Sequence, residues 1–279
     1  MKKYLCLMLS VYLFMFSMVV WQTQDRSLKI IACDVGQGDA VLLMYQKTQV
    51  LIDGGPNDKV LDCLSRHLPW WDRTLEIVVN THPEADHATG LIDVMERYKV
   101  VNFVKNEDAP GTDVYRLLED GVKANGSRIT TNPDRLVIGK GMIQIDIVKN
   151  KTRNSKLETR KLNLNSLVLL VKYGSFEALL TADIEPPRTE EVGDELKKLN
   201  IDWPIEYIKV PHHGSKNGLT QSLLELTKPS VGVISVGKNQ WGHPTDEILN
   251  LLYSKKIKIL RTDEVGDVVI KSDGKKMWY

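Results

Sequence analysis

The sequence predicts an α/β protein in which two packed sheets carry helices on their outer faces. Three observations predict it. Short apolar segments alternate with segments of helical periodicity along nearly the whole chain. The alternation comes in two blocks, each with its own hairpins, strands and helices. Of the 279 residues, 42% are hydrophobic and 26% charged, an ordinary globular composition that suits one large domain.

In the first block, Leu28 to Asp34, Ala40 to Tyr45 and Gln49 to Asp53 read as strands separated by Gly-rich or polar turns. Val60 to Leu68 reads as a helix stopped by Pro69. Ile77 to Asn80 is a short buried strand, Gly90 to Tyr98 a helix, Val100 to Val104 a strand, and Val114 to Ala124 a helix closed by Asn125-Gly126. The second block repeats the plan. Leu136 to Val148 reads as a hairpin around Gly139-Lys140-Gly141, and Leu167 to Tyr173 with Phe176 to Thr181 as another around Gly174-Ser175. Helices are expected at Glu190 to Leu199, Leu219 to Leu226 and Glu247 to Tyr253. Strands Tyr207 to Val210, Val231 to Val236 and Ile257 to Leu260 lie between and after them.

Ahead of this domain stand Met1-Lys2-Lys3 and an uncharged apolar run from Tyr4 to Trp21. A basic start followed by such a run is a signal segment. Its end, Phe16-Ser17-Met18-Val19-Val20-Trp21, lacks the small residues of a cleavage site, which favours an uncleaved anchor over a cleaved peptide. The two lysines then stay cytoplasmic and the rest lies outside, either membrane-anchored or, after cleavage, secreted. The expected division is 1–27, signal anchor and polar linker, and 28–279, the catalytic domain.

With 37 basic and 36 acidic residues the net charge is +1, which excludes a bulk electrostatic grip on nucleic acid but leaves room for a local patch. Six basic residues crowd the stretch from Lys149 to Lys161, a solvated loop or a phosphate-binding arm. Trp70-Trp71 and Trp241 read first as packing residues, although Trp241 stands two positions from His243. The cysteines are Cys6, Cys33 and Cys63; the last two pair only if the fold brings them together.

The chemistry lies in the histidines. Five of six fall in three motifs: Thr81-His82-Pro83-Glu84-Ala85-Asp86-His87, Val210-Pro211-His212-His213-Gly214-Ser215 and Trp241-Gly242-His243-Pro244. His67 stands apart at a helix end, where a C-terminal cap is the simple reading. The first motif follows a buried strand and crowds imidazoles and carboxylates onto what reads as a loop. Such groups are costly to cluster unless cations compensate them. Asp34, Asp39, Asp53 and Asp183 each end or follow a strand. An Asp before Gly, as at Asp53, is often only a turn former, whereas Asp183 leans toward a metal ligand.

These segments resemble the metallo-β-lactamase superfamily, and most of all the branch that contains the C-terminal domain of ComEC, a competence DNA-uptake protein. The matching pieces run in family order: Asp34-Val35-Gly36-Gln37-Gly38-Asp39-Ala40, His82-Pro83-Glu84-Ala85-Asp86-His87, Asn165-Ser166-Leu167-Val168-Leu169, Leu180-Thr181-Ala182-Asp183, Pro211-His212-His213-Gly214-Ser215 and Gly242-His243-Pro244. The resemblance implies a four-layer αβ/βα sandwich with a two-metal site at one edge. It implies His82, Glu84, Asp86, His87 and Asp183 as metal ligands, with Asp183 bridging, and one of His212 and His213 as a further ligand, His213 being preferred. It implies catalytic roles for Asp86, His212 and His243, and substrate contacts from Asn165 and Ser215. Glu84 stands where most members have a second histidine, and Asn165 lies near the place of a missing mid-chain histidine. A relative that cleaves phosphorylcholine from teichoic acid shares the carboxylate.

Two divalent ions about 3.5–4 Å apart hold a hydroxide nucleophile and neutralise a transferred phosphoryl group; this oxygen-rich set suits zinc or manganese. The expected activity is phosphodiester hydrolysis, first as a nuclease on single-stranded DNA working with DNA-uptake machinery. Cell-wall phosphodiester cleavage and a metal-depleted binding domain are the alternatives.

Overall fold

Strand and helix ends in this chain are set by where apolar runs meet Gly, Pro and charge, and the result is two mixed sheets packed face to face. The computed structural model describes residues 4, 7–15, 26–108, 110–148 and 162–279. The first sheet contains β1 Leu28–Ala32, β2 Val41–Tyr45, β3 Thr48–Ile52, β4 Thr74–Asn80, β5 Lys99–Lys105, β6 Arg128–Thr131, β14 Val268–Ser272 and β15 Met277–Trp278, in the order β15-β14-β1-β2-β3-β4-β5-β6. The second contains β7 Arg135–Ile138, β8 Ile143–Val148, β9 Val168–Tyr173, β10 Phe176–Leu180, β11 Tyr207–Lys209, β12 Val231–Ile234 and β13 Lys258–Arg261, in the order β13-β12-β11-β10-β9-β8-β7.

Three apolar layers hold the sandwich together. Between the sheets, Ile30, Leu43 and Val50 of the first meet Ile145, Leu169, Val171 and Tyr207 of the second. Alternate residues of the same strands, Ile31, Leu42 and Leu51, face outward onto α1 Lys59–His67, α2 Ala85–Arg97 and α3 Asp113–Asn125 through Leu64, Leu91 and Leu118. This is the period-two rule for a strand buried on both faces. On the other side Leu170, Leu179 and Ile208 pack on α4 Arg188–Leu196, α5 Gln221–Thr227 and α6 Asp246–Ser254 through Val192, Leu224 and Leu252. The layers run helix, sheet, sheet, helix, the four-layer αβ/βα sandwich.

Three features differ from the sequence reading. β14 and β15 return the chain end to the first sheet beside β1, although the run Val268–Ile270 is too short and too flanked by charge to signal a strand. β6 is another unexpected strand, four residues long and mostly exposed. The helix expected from Gly90 begins at Ala85, so Asp86 and His87 occupy its first turn rather than a loop. Of the expected anchor, residues 7–15 are helical with exposed side chains. The remainder of Tyr4–Trp21 apart from Tyr4, the linker before Arg26, and the basic stretch Lys149–Lys161 lie outside the described residues. Among the described residues no helix is long and apolar enough to cross a membrane.

Strand direction decides where chemistry is placed. β1 and β3 both pair antiparallel with β2 and so run the same way, and β4 runs parallel to β3. The ends of all three therefore open on one edge, where β10 and its parallel neighbour β11 also end. Two close contacts brace this edge. Cys33, just past β1, and Cys63 of α1 are joined in a disulfide with Cα atoms 5.8 Å apart. The loop after β3 also presses against α2: Gly54 N–H donates to the His87 carbonyl at 2.7 Å, and Gly90 N–H to the Gly55 carbonyl at 3.0 Å. A Cβ on Gly90 would stand 2.1 Å from the Gly54 oxygen. We expect Gly90→Ala to cost about 1–3 kcal/mol through this overpacking, read as a lower urea midpoint; an unchanged midpoint would refute the contact's importance.

Candidate metal centre

Loops from both sheets converge at the shared strand edge. β4 delivers Thr81 and His82, and the first turn of α2 adds Asp86 and His87, with Glu84 as the N-cap residue. β10 runs out into Asp183. β11 runs into a tight turn, Pro211–Gly214, in which His212 and His213 adopt left-handed φ of 48° and 52°. Such backbone is uncommon for a residue with a side chain. It is secured by the His212 N–H bond to the Ala182 carbonyl (3.2 Å) and the Ser215 N–H bond to the His212 carbonyl (2.8 Å). The turn thereby aims both rings at Asp183.

One oxygen is the focus. Asp183 Oδ2 lies 3.2 Å from His213 Nε2, 3.3 Å from His87 Nε2 and 3.9 Å from His212 Nε2. His213 Nε2 is also 3.4 Å from Asp86 Oδ2. The Nε2 atoms of His82, His87 and His213 are buried and make no hydrogen bond. Unpaired buried polar atoms are expensive, and three converging together need an explanation. Donors about 2.0–2.2 Å from one ion stand about 3–3.5 Å from each other, which is the spacing seen here. Donor atoms group within 4.8 Å as Asp86, His87, Asp183 and His213, and again as Asp53, His82 and His87. The residues fit divalent metal ions, the cofactor this fold implies.

The opposite ring nitrogens are all engaged, which fixes which nitrogen faces the centre. His87 Nδ1 donates to Asp53 Oδ2 at 2.9 Å and His213 Nδ1 to the Ser235 carbonyl at 2.9 Å. Thr81 Oγ1 donates to Asp53 Oδ2 at 2.6 Å, so it accepts from His82 Nδ1 at 3.0 Å. Asp53 further accepts Thr81 N–H at 2.8 Å and Asn80 Nδ2 at 3.2 Å. It is therefore an anchor for two histidines and not merely a turn former.

The electrostatics agree. Burial works against the Asp183 carboxylate, yet His213, His87 and Lys209 hold it well below the usual range. Burial also opposes ionisation of Asp86, but His213 and His87 bring it to about 2. Burial disfavours a charged His213, and Asp183 and Asp39 outweigh it, lifting the ring to about 9; His87 is raised for the same reason by Asp183 and Asp53. Buried carboxylates thus draw positive charge onto whatever stands between them.

Lys209 answers part of that demand. It is buried in β11, in ion-pair contact with Asp39, with Nζ 3.5 Å from Asp183 Oδ1 and 3.3 Å from the Ala182 carbonyl. Sequence reasoning missed it, although a lysine inside the buried run Tyr207-Ile208-Lys209-Val210 was the available signal. Glu185, which accepts from His212 Nδ1 at 2.9 Å, was also missed.

The other expected residues are placed as follows. His212 is partly exposed at the rim, and His243 stands beside it with ring centroids 5.6 Å apart. Trp241 stacks on His243 at 6.4 Å, and Asn239 clamps that loop by accepting the N–H groups of Trp241 and His243. Glu84 belongs to neither donor group; burial, Asp86 and Asp183 raise its carboxyl. Asn165 and Ser215 are buried beside the centre in loop contacts, Asn165 Nδ2 with Asp108 and Ser215 Oγ with Asn217 N–H. His67, with Arg66, pairs with Asp267 and ties α1 to β14.

This geometry is that of the metallo-β-lactamase superfamily, whose family profile matches residues 33–238; the chain belongs to that family and is a hydrolase of its fold. Within it the chain is ComEC-like. It is 24% identical over 278 residues to ComE operon protein 3 of Bacillus subtilis (strain 168), covering 91% of this chain and 34% of that one. It is 27% identical over 240 residues to Recombination protein 2 of Haemophilus influenzae, covering 84% and 28%. The chain thus spans about a third of the length of the curated relatives it matches. Among solved structures, the metallo-β-lactamase fold protein YhfI from Bacillus subtilis superposes with a TM-score of 0.58 at 11% identity, over 89% of this chain and all of that one.

Replacing Asp53 with Asn keeps the shape but removes the charge behind His87. Metal affinity should fall about 10–100-fold, measured by calorimetric titration of apoprotein whose fold is checked by circular dichroism. Affinity equal to the parent's would show that Asp53 is only structural.

Proposed function

We propose that this chain is an extracytoplasmic phosphodiesterase that hydrolyses DNA, using two divalent ions, zinc or manganese, at His82, Asp86, His87, Asp183 and His213, with Glu84, which the structure leaves outside both donor groups, acting through its charge rather than as a ligand. The observation that carries the reading is Asp183, one of whose oxygens faces His87, His212 and His213 at once. That is the arrangement a carboxylate needs to serve two neighbouring cations. The cations supply Lewis acidity, lowering the pKa of bound water and neutralising charge on a phosphoryl group.

The chain's own residues do the rest. His212, oriented by Glu185, and His243, backed by Trp241, flank the open side of the centre. Burial and the neighbouring imidazoles His212 and His213 lower the proton affinity of His243. An arriving phosphodiester anion raises its proton affinity, so that His243 takes up one proton from solvent and passes that proton to the leaving alkoxide. Asp86, together with the centre, orients the attacking water. Glu84 adds negative charge where most members carry histidine, which disfavours an amide offering one carbonyl oxygen and favours a substrate with several anionic oxygens. The names of the relatives, which include Competence protein ComA of Neisseria gonorrhoeae, support DNA as that substrate and DNA-uptake machinery as the setting. Glu84 is also the feature that favours a second reading, a choline phosphodiester of cell-wall teichoic acid.

The test compares nitrocefin, a bis-aryl phosphate, single-stranded DNA and a choline phosphodiester with zinc or manganese. DNA and the aryl ester should turn over, chelator should abolish this, and Asp183→Ala should lose it while remaining folded. Nitrocefin turnover above both would defeat the proposal, and choline ester cleavage without DNA cleavage would transfer it to the second reading.

The extracytoplasmic placement rests on Lys2 and Lys3 before the apolar run Tyr4–Trp21. The buried Cys33–Cys63 disulfide supports it, since such bonds persist in oxidising compartments. Protease added to intact cells should digest the domain; complete protection would place it inside.

A further inference from the structure

The edge opposite the metal centre carries a surface that catalysis does not use. Register places Lys29 of β1 opposite Met44 of β2 on one side and Lys271 of β14 on the other, and Lys271 opposite Trp278 of β15. These four form one row across the outer face of the first sheet, one residue from the end where β1 begins. With Arg66 and Tyr279 they line a groove of about 460 Å³. Met44 also pairs with Gln49, whose amide donates to Asp72 at 3.1 Å. The loop Pro69–Asp72 thus closes the far end of the row, bearing Trp70 and Trp71, which are 81% and 62% exposed. Trp278 and Tyr279, 43% and 62% exposed, stand at the near end. Lys47 and Lys275 are exposed in turns at this same edge.

The chain also enters the domain here. Tyr173 Oη donates to the Arg26 carbonyl at 2.7 Å, just ahead of β1. The apolar run Tyr4–Trp21 is therefore joined to the domain at this edge through a short polar linker. Exposed tryptophan and tyrosine with lysines between them is the composition that settles at a bilayer's headgroup level, where aromatic rings bridge apolar and wet layers and lysine meets anionic lipid.

We propose that this aromatic and basic edge docks on the surface of an anionic membrane, holding the domain with its metal centre facing away from the bilayer. β1 spans the two edges, so docking sets the centre roughly 15 Å or more above the headgroups. The proposal rests on the anchored reading of Tyr4–Trp21. It commits to lipid because the chain's own apolar run brings the bilayer to this edge.

The experiment uses the full chain in lipid nanodiscs containing phospholipid brominated near the headgroup. The emission of interest is the difference between the chain and its Trp70→Phe/Trp71→Phe/Trp278→Phe variant. That difference should be quenched in phosphatidylglycerol discs and much less in phosphatidylcholine discs. Lys29→Glu/Lys271→Glu should lose the quenching while keeping bis-aryl phosphate hydrolysis. A chain that stays out of the discs overturns the anchor and the docking together. Incorporation without quenching, or quenching indifferent to lipid charge, overturns docking alone. Tryptophan emission that responds only to added single-stranded oligonucleotide assigns the edge to nucleic acid instead.

Discussion

The rest of the centre depends on the burial of Asp183 among imidazoles. A carboxylate 1% exposed and ringed by His87, His212, His213 and Lys209 stays ionised only because those groups meet it. Each partner is held by another group: His87 by Asp53, His213 by the Ser235 carbonyl, His212 by Glu185, and Lys209 by Asp39. The network reaches the loops after β1, β3, β4, β10, β11 and β12 and so draws from both sheets. A shift in either sheet would break several of these bonds at once, so the sandwich interface is also the alignment of the site.

Lys209 gives this network its asymmetry. Its ammonium serves Asp39 and one oxygen of Asp183, leaving the other oxygen for the histidines. A fixed protein cation thus occupies one side of the carboxylate, while its other side faces the histidines that would hold a metal ion. The arrangement orients Asp183 before any ion arrives, which is preorganisation of the kind a metal site requires.

Much of this was legible in the sequence, for identifiable physical reasons. Buried strands such as Val231–Ile234 announce themselves by apolar runs, and the three histidine motifs stand out because imidazoles and carboxylates rarely crowd without a cation. What escaped was what depends on partners distant in sequence. β14 is a strand because β1 and β15 flank it, not because Val268–Ser272 has a strong pattern. Asp53 looked like a turn former because its partners, Thr81 and His87, lie 28 and 34 residues away. Cys33 and Cys63 are 30 residues apart, and only the packing of α1 on the first sheet brings them together. The start of α2 was misplaced because Gly90 suggested a boundary, whereas its role is to let the Gly54 carbonyl approach.

The two ends of the first sheet have opposite chemical characters, and strand direction explains why. β1, β3 and β4 finish at the metal centre, so acidic and imidazole-bearing loops gather there. The turns at the other end, after β2 and before β15, carry Lys47, Lys275 and Lys276 instead, and the loop before β4 carries Trp70 and Trp71. α1 runs back from the centre and ends near that second edge, delivering Arg66 and the tryptophan loop to it. The Cys33–Cys63 disulfide staples α1 to β1 along this path. A load applied at that second edge therefore passes through a covalently braced strand and helix to the loop that bears Asp39. Under the docking proposed above, the domain would be held from that edge with its catalytic loops in register and its open side left free for the proposed phosphodiester.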